Sequence, residues 1–75
     1  MHPLYWIDMK EMVRNKIYEI RMHADITQEA LSGEVGVSRQ TIVAIEKGNY
    51  VPSVLLALKL AKFFKRPVED LFSIQ

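Results

Sequence analysis

The sequence predicts an all-α protein, a compact bundle of five helices with a short N-terminal extension. Three observations carry this expectation. Apolar residues recur at three- and four-residue spacing along most of the chain, which lines one face of a helix. Aspartate, threonine and serine stand immediately before those runs, where a helix N-terminus needs a side-chain acceptor. No stretch alternates apolar and polar residues for long enough to suggest a strand.

The first helix is expected to follow Asp8, which makes a capping-box-like start with Glu11 three residues later. Val13, Ile17, Ile20 and Ala24 then form one buried stripe. The helix ends near Asp25, a residue type that tolerates left-handed backbone. Thr27 caps the second helix, "QEALSGEV", with Ala30, Leu31 and Val35 inward, and Gly36 breaks it. Ser38 caps the third, with Ile42 and Ile45 inward and Gly48 closing it. "NYVPS" reads as a loop, and Ser53 starts a fourth helix that runs to about Phe64. Val54, Ala57, Leu58, Ala61 and Phe64 make its first apolar stripe, and Leu56, Leu60 and Phe63 make a second beside it. Pro67 opens a short last helix, "VEDLF", whose Val68, Leu71 and Phe72 close the core.

Seventy-five residues suffice for one small domain, expected over residues 9–75 with residues 1–8 as the extension. Apolar residues make up 49 % and charged ones 25 %, a globular composition. With no cysteine, neither a disulfide framework nor a thiolate metal site can form. No apolar run reaches the length of a membrane span. The opening segment has no basic start and no small-residue cleavage site, so a cytoplasmic location is expected. His2 and His23 lack metal-ligand spacing, and no glycine-rich phosphate loop appears, so no catalytic site and no cofactor are expected.

The net charge of +1 conceals a polarised chain. Over residues 39–66, Arg39, Lys47, Lys59, Lys62, Lys65 and Arg66 stand against Glu46 alone. Over residues 19–34, Glu19, Asp25, Glu29 and Glu34 stand against Arg21. Such a division suits a polyanion bound by one face. Solvated helix faces are often lopsided as well, so charge alone does not decide.

The segment "VGVSRQTIVAIEKGN", residues 35–49, sharpens the question. Two short helices joined by a tight turn, the second opening on a polar cluster, form the pattern of a helix-turn-helix. Ser32 is a small side chain where the two helices come closest. Gly36 sits where the turn needs positive φ. With Ile42 and Ile45 inward, Arg39, Gln40, Val43 and Ala44 fall on the opposite side.

In these residues the chain resembles the helix-turn-helix of Cro, the lambda-type phage repressors and the wider xenobiotic-response-element family of bacterial and archaeal regulators. The likeness runs over residues 13–72, through "IYEIR" at 17–21, "ITQEAL" at 26–31, "VGVSRQTIVAIEKGNYVPS" at 35–53, "LALKLAKFF" at 56–64 and "VEDLF" at 68–72. It implies a lambda-repressor-like DNA-binding bundle whose recognition helix, about 38–47, enters the major groove. Arg39 and Gln40 would then read guanine and adenine. Ser38 would cap that helix and stand among the DNA-binding residues, Thr41 would meet a phosphate or a thymine methyl, and Val43 and Ala44 would at most pack on a methyl group. Lys47, Asn49 and Tyr50 would grip the backbone. Gln28 would donate to a phosphate and brace Gln40. Arg21 and Glu46, two solvated charges when read from the residues alone, would form a partly buried ion pair.

The chain departs from the family pattern at Gly33, inside the second helix, at a cost of about 1 kcal/mol relative to alanine. Asp25 and Lys65 stand where the family often has a glycine cap, and Lys65 adopts that conformation less readily, so a different end to the fourth helix is expected there. The apolar residues Leu4, Tyr5, Trp6 and Ile7 precede the usual start, as an arm packed over the second stripe of the fourth helix or as a leader. The functional expectation is a sequence-specific regulator of transcription, a repressor that binds a palindromic double-stranded DNA operator as a homodimer. No small-molecule effector site is evident. The alternatives are an antitoxin-type autoregulator and a protein-bridging module of the same fold.

Overall fold

The structure, a computed structural model, describes residues 12–75. Along that span the chain forms β1 (Val13–Asn15), α1 (Ile17–His23), α2 (Gln28–Val35), α3 (Arg39–Glu46), α4 (Val54–Phe64), α5 (Val68–Leu71) and β2 (Phe72–Ile74). Ten side chains from all five helices make one core: Ile17, Ile20, Leu31, Val35, Ile42, Ile45, Leu56, Leu60, Ala61 and Leu71. Six of them, Ile17, Leu31, Ile42, Ile45, Leu60 and Leu71, are essentially sealed from solvent.

Serine and threonine set the starts of three helices. Thr27 Oγ1 accepts from the Ala30 N–H at 3.0 Å, Ser38 Oγ from Thr41 at 3.3 Å and Ser53 Oγ from Leu56 at 3.1 Å. Each satisfies one N–H that a helix start leaves without a backbone partner. Four ends share one closing pattern, in which the residue after a left-handed position bonds back to the last turn. Ile26 N–H donates to Arg21 O at 3.1 Å, Val37 to Ser32 at 3.0 Å, Asn49 to Ala44 at 2.9 Å and Arg66 to Ala61 at 3.0 Å. The left-handed residues are Asp25 (φ 58°), Gly36 (φ 76°), Gly48 (φ 80°) and Lys65 (φ 57°). Lys65 therefore does adopt the glycine-like conformation, and α4 ends as the family pattern would have it.

The first helix begins later than expected. Residues 13–15 are taken by an antiparallel two-stranded sheet in which Val13 pairs with Ile74, Arg14 with Ser73 and Asn15 with Phe72. Asp8 and Glu11 lie outside the described residues, as does the Leu4–Ile7 arm. The start of α1 is set instead by Asn15, whose Oδ1 accepts from the Ile17 N–H at 3.1 Å. Val13 and Ala24, expected in the α1 stripe, are exposed, and so is Ala30 of α2.

On α4 the two stripes exchange roles. Leu56 and Leu60 of the second stripe are buried together with Ala61, whereas Val54 and Leu58 of the first stripe stay in solvent. All eight stripe positions are leucine, valine, phenylalanine or alanine, and of the first stripe only Ala61 is buried, so helical spacing could not select the inner side. Contacts with α2 and α5 select it.

Candidate nucleic-acid interface

Helices α2 and α3 are joined by three residues. Gly36 turns the chain at φ 76°, with its N–H bonded to Ser32 O at 2.9 Å, and no atom would meet a Cβ there within 4 Å. Backbone conformation, not crowding, is what requires glycine at that position. Ser32 is buried at the close approach of the two helices, and its hydroxyl donates to Glu29 O at 2.7 Å. Val37 packs on the core and Ser38 begins α3.

With Ile42 and Ile45 fully buried, the rest of α3 is oriented. Arg39 and Gln40, its first two residues, are exposed, as is Ser38. Ser38 Oγ and Thr41 Oγ1 lie 3.1 Å apart. Thr41, Val43 and Ala44 are half-buried. Lys47, Asn49 and Tyr50 are exposed in and after the turn that closes the helix. One hollow beside this turn is lined by Thr41, Tyr50, Leu55 and Lys59, and another by Arg21, Thr27, Gln28, Glu29 and Arg39. Lys59 was not among the residues expected at the site. Its signal in the sequence is only a positive charge on α4, and packing of α4 against the turn brings it beside Tyr50.

Beneath the exposed face lies a satisfied charge cluster. Arg21 Nε donates to Glu46 Oε2 at 2.6 Å and Nη2 to Oε1 at 3.0 Å, a two-pronged pair whose side chains are 7 % and 5 % exposed. Arg21 Nη1 donates to Ile26 O at 2.8 Å, and the guanidinium stands 5.4 Å from the Tyr18 ring centroid. The hydrogen bond to Glu46 raises the Arg21 pKa against the opposing effect of burial. A raised arginine value leaves the charge in place below the ordinary arginine range, so this pair keeps its contribution across neutral and moderately alkaline pH. The contribution disappears only as pH rises through the folded value.

Gln28 belongs to this cluster and does not brace Gln40. Its Nε2 donates to Glu46 Oε1 at 3.0 Å. A buried carboxylate is a stronger acceptor than an exposed amide, so the side chain turns inward. Asn15 is a second residue that sequence reasoning missed. Its Nδ2 donates to Ile45 O at 2.9 Å and ties β1 to the end of α3. Arg21, Gln28 and Asn15 thus hold α3 from three directions, near its last turn.

A family model described as helix-turn-helix matches residues 17–71, from the first residue of α1 to the last of α5. The uncharacterized HTH-type transcriptional regulator YgzD of Bacillus subtilis (strain 168) is 51 % identical over 63 residues, covering 84 % of this chain and 96 % of that protein. The cryptic phage CTXphi transcriptional repressor RstR of Vibrio cholerae is 37 % identical over 62 residues, covering 83 % of this chain and 56 % of the repressor. Among solved structures, the transcriptional regulator VanUg superposes with a TM-score of 0.76 at 20 % identity, over 100 % of this chain and 97 % of that one, a likeness of fold. With every helix inside the matched region and a relative aligned along nearly its whole length, the chain belongs to the helix-turn-helix family.

Proposed function

We propose that the protein is a transcriptional regulator that reads double-stranded DNA with the N-terminal end of α3, and that it acts as a repressor. The observation that carries this reading is the placement of Arg39 and Gln40. Both are exposed on a helix that two sealed isoleucines and the Arg21–Glu46 pair hold in place. Arginine matches guanine O6 and N7 with two donors, and glutamine matches adenine N6 and N7, each pair worth about 1–3 kcal/mol of discrimination. Thr41 contacts a phosphate or a thymine methyl beside them. Val43 and Ala44 pack at most on a methyl group.

Lys47, Asn49 and Tyr50 hold the phosphate backbone and set register without reading sequence. Gln28 has committed its side-chain amide to Glu46, so its backbone N–H at the start of α2 is the donor left for a phosphate. One recognition helix spans only a few base pairs, so the active species is a homodimer on a palindromic operator with half-sites about 34 Å apart. The repressor role is supported by the likeness to RstR. Its place of action is the cytoplasm, and among the described residues no helix is long and apolar enough to cross a membrane.

Selection of bound duplexes from a random pool tests this reading. The expected product is an inverted repeat with guanine or adenine facing Arg39 and Gln40, bound less tightly as salt rises because phosphate contacts release counterions. Recovery of no enriched sequence, with binding indifferent to salt, would overturn it.

A further inference from the structure

The two-stranded sheet has one polar face and one apolar face. Side chains alternate along a strand, so the register places Arg14 and Ser73 on one face and Val13, Asn15, Phe72 and Ile74 on the other. Arg14 Nε donates to the Gln75 side chain across the polar face. The apolar face meets the bundle at one end only, where Phe72 packs on the core and Asn15 reaches Ile45 O. At the other end Val13 and Ile74, a directly opposed pair, overhang the bundle and are 37 % and 74 % exposed. Beside that overhang lies an open hollow of about 420 Å³, lined by Val13, Phe72 and Ile74 together with Glu69 of α5. Apolar surface of this kind marks a contact more often than bare solvent.

The chain itself supplies an occupant. Eleven residues precede Met12, whose O accepts from Gln75 N–H at 2.9 Å at this same end of the sheet. The hollow thus opens where that segment joins β1. Leu4, Tyr5, Trp6 and Ile7 are four consecutive large apolar residues in it, and residues 8–11 after them carry three charges. A polar stretch of that length is enough to reverse the chain. Five links separate Ile7 from Met12, a reach of at most about 17 Å, so the apolar four stay close to the overhang. Tyrosine, tryptophan and isoleucine also suit a half-buried sheet surface. The inner side of α4 offers them no place, because Leu56 and Leu60 are already in the core. Residues 17–71 carry the family match, and both the arm and the Val13–Ile74 pair lie outside it. We infer that Leu4, Tyr5, Trp6 and Ile7 fold back within their own chain and seat Trp6 in the hollow beside Val13 and Ile74. A tether this short holds the arm over its own hollow at a high local concentration, whereas the arm of a second copy must come from solution. The inference goes beyond the reading of DNA and does not depend on it.

Trp6 is the only tryptophan of the chain, so its fluorescence reads the arm directly. In the full chain its emission is expected to lie to the blue of free tryptophan and to resist quenching by acrylamide. Ile74→Ser is expected to shift the emission to the red and restore quenching, with the far-UV spectrum unchanged. Leu58→Ser, on the exposed side of α4, is expected to change neither. Proton NMR gives a measure that needs no variant, in cross-peaks from the Trp6 indole to the methyl groups of Val13 and Ile74. In a mixture of isotope-labelled and unlabelled chains, those cross-peaks are expected within a chain and not between chains. Emission and quenching like those of free tryptophan, or a blue emission that Leu58→Ser moves and Ile74→Ser does not, would overturn the inference. So would the absence of these cross-peaks, or their appearance between chains, which would place the arm on a second copy.

Discussion

Lys65 holds φ 57° at the end of α4, a conformation that costs an L-residue about 1–2 kcal/mol and glycine very little. Lys65→Gly is therefore expected to stabilise the fold by about 0.5–1 kcal/mol once the extra freedom of the unfolded glycine is set against it. In a domain of this size that is a rise of roughly 2–8 °C in Tm by calorimetry. Gly36→Ala tests the same physics with the opposite sign. The space around Gly36 is open, so only backbone strain is added, and a loss of about 1–2 kcal/mol is expected from chemical denaturation. A much larger loss would mean that the turn is crowded in a way its surroundings do not show. The need for a left-handed residue was legible at Gly36 and Gly48. At Lys65 nothing in the residue itself discloses it, since the closing bonds to Ala61 and Lys62 come from the helix and not from the lysine side chain.

Element boundaries followed from local chemistry wherever a hydroxyl side chain does the capping. Thr27, Ser38 and Ser53 all accept the bond that their position suggested. The start of α1 was not legible, because Asn15 caps from outside the helix while its residue is also part of a strand. The setting of α3 against α1 depends on the buried Arg21–Glu46 pair. Glu46→Ala leaves a buried guanidinium and the Gln28 amide without their acceptor. A loss of about 3–5 kcal/mol is expected, comparable to the whole stability of so small a domain. Replacing both partners at once with apolar residues of similar volume, Arg21→Met with Glu46→Leu, is expected to recover most of that loss in urea titrations. If the single and double variants were equally unstable, the pair would matter through its shape and not through its charges.

For the molecule as a whole, the feature hidden from the sequence is the sheet that joins its two described ends. Each strand has three residues, too short for alternation to register, and the pairing spans the chain from Val13 to Ile74. Lys16 N–H to Leu71 O and Gln75 N–H to Met12 O, each 2.9 Å, extend that closure to either side. The inner side of α4 was hidden for a related reason, since only contacts between distant segments choose between two equally apolar stripes. The charge division was legible, but not which lysine would approach the turn after α3. Lys59 does so, beside Thr41 and Tyr50. Lys59→Ala is accordingly expected to weaken every duplex alike and to lower the salt slope by about one phosphate's share, read from binding isotherms over a range of salt.

The decisive contact is that of Arg39 with a base edge. Its direct measurement is the base-preference profile of Arg39→Ala beside that of Lys47→Ala, each taken on the duplex selected by the wild type and on its single-base-pair variants. The expected result is that Arg39→Ala loses discrimination at one base pair in each half-site, by about 1–3 kcal/mol, while Lys47→Ala lowers affinity evenly and leaves the profile unchanged. A profile for Arg39→Ala that matches the wild type at every position would contradict the account.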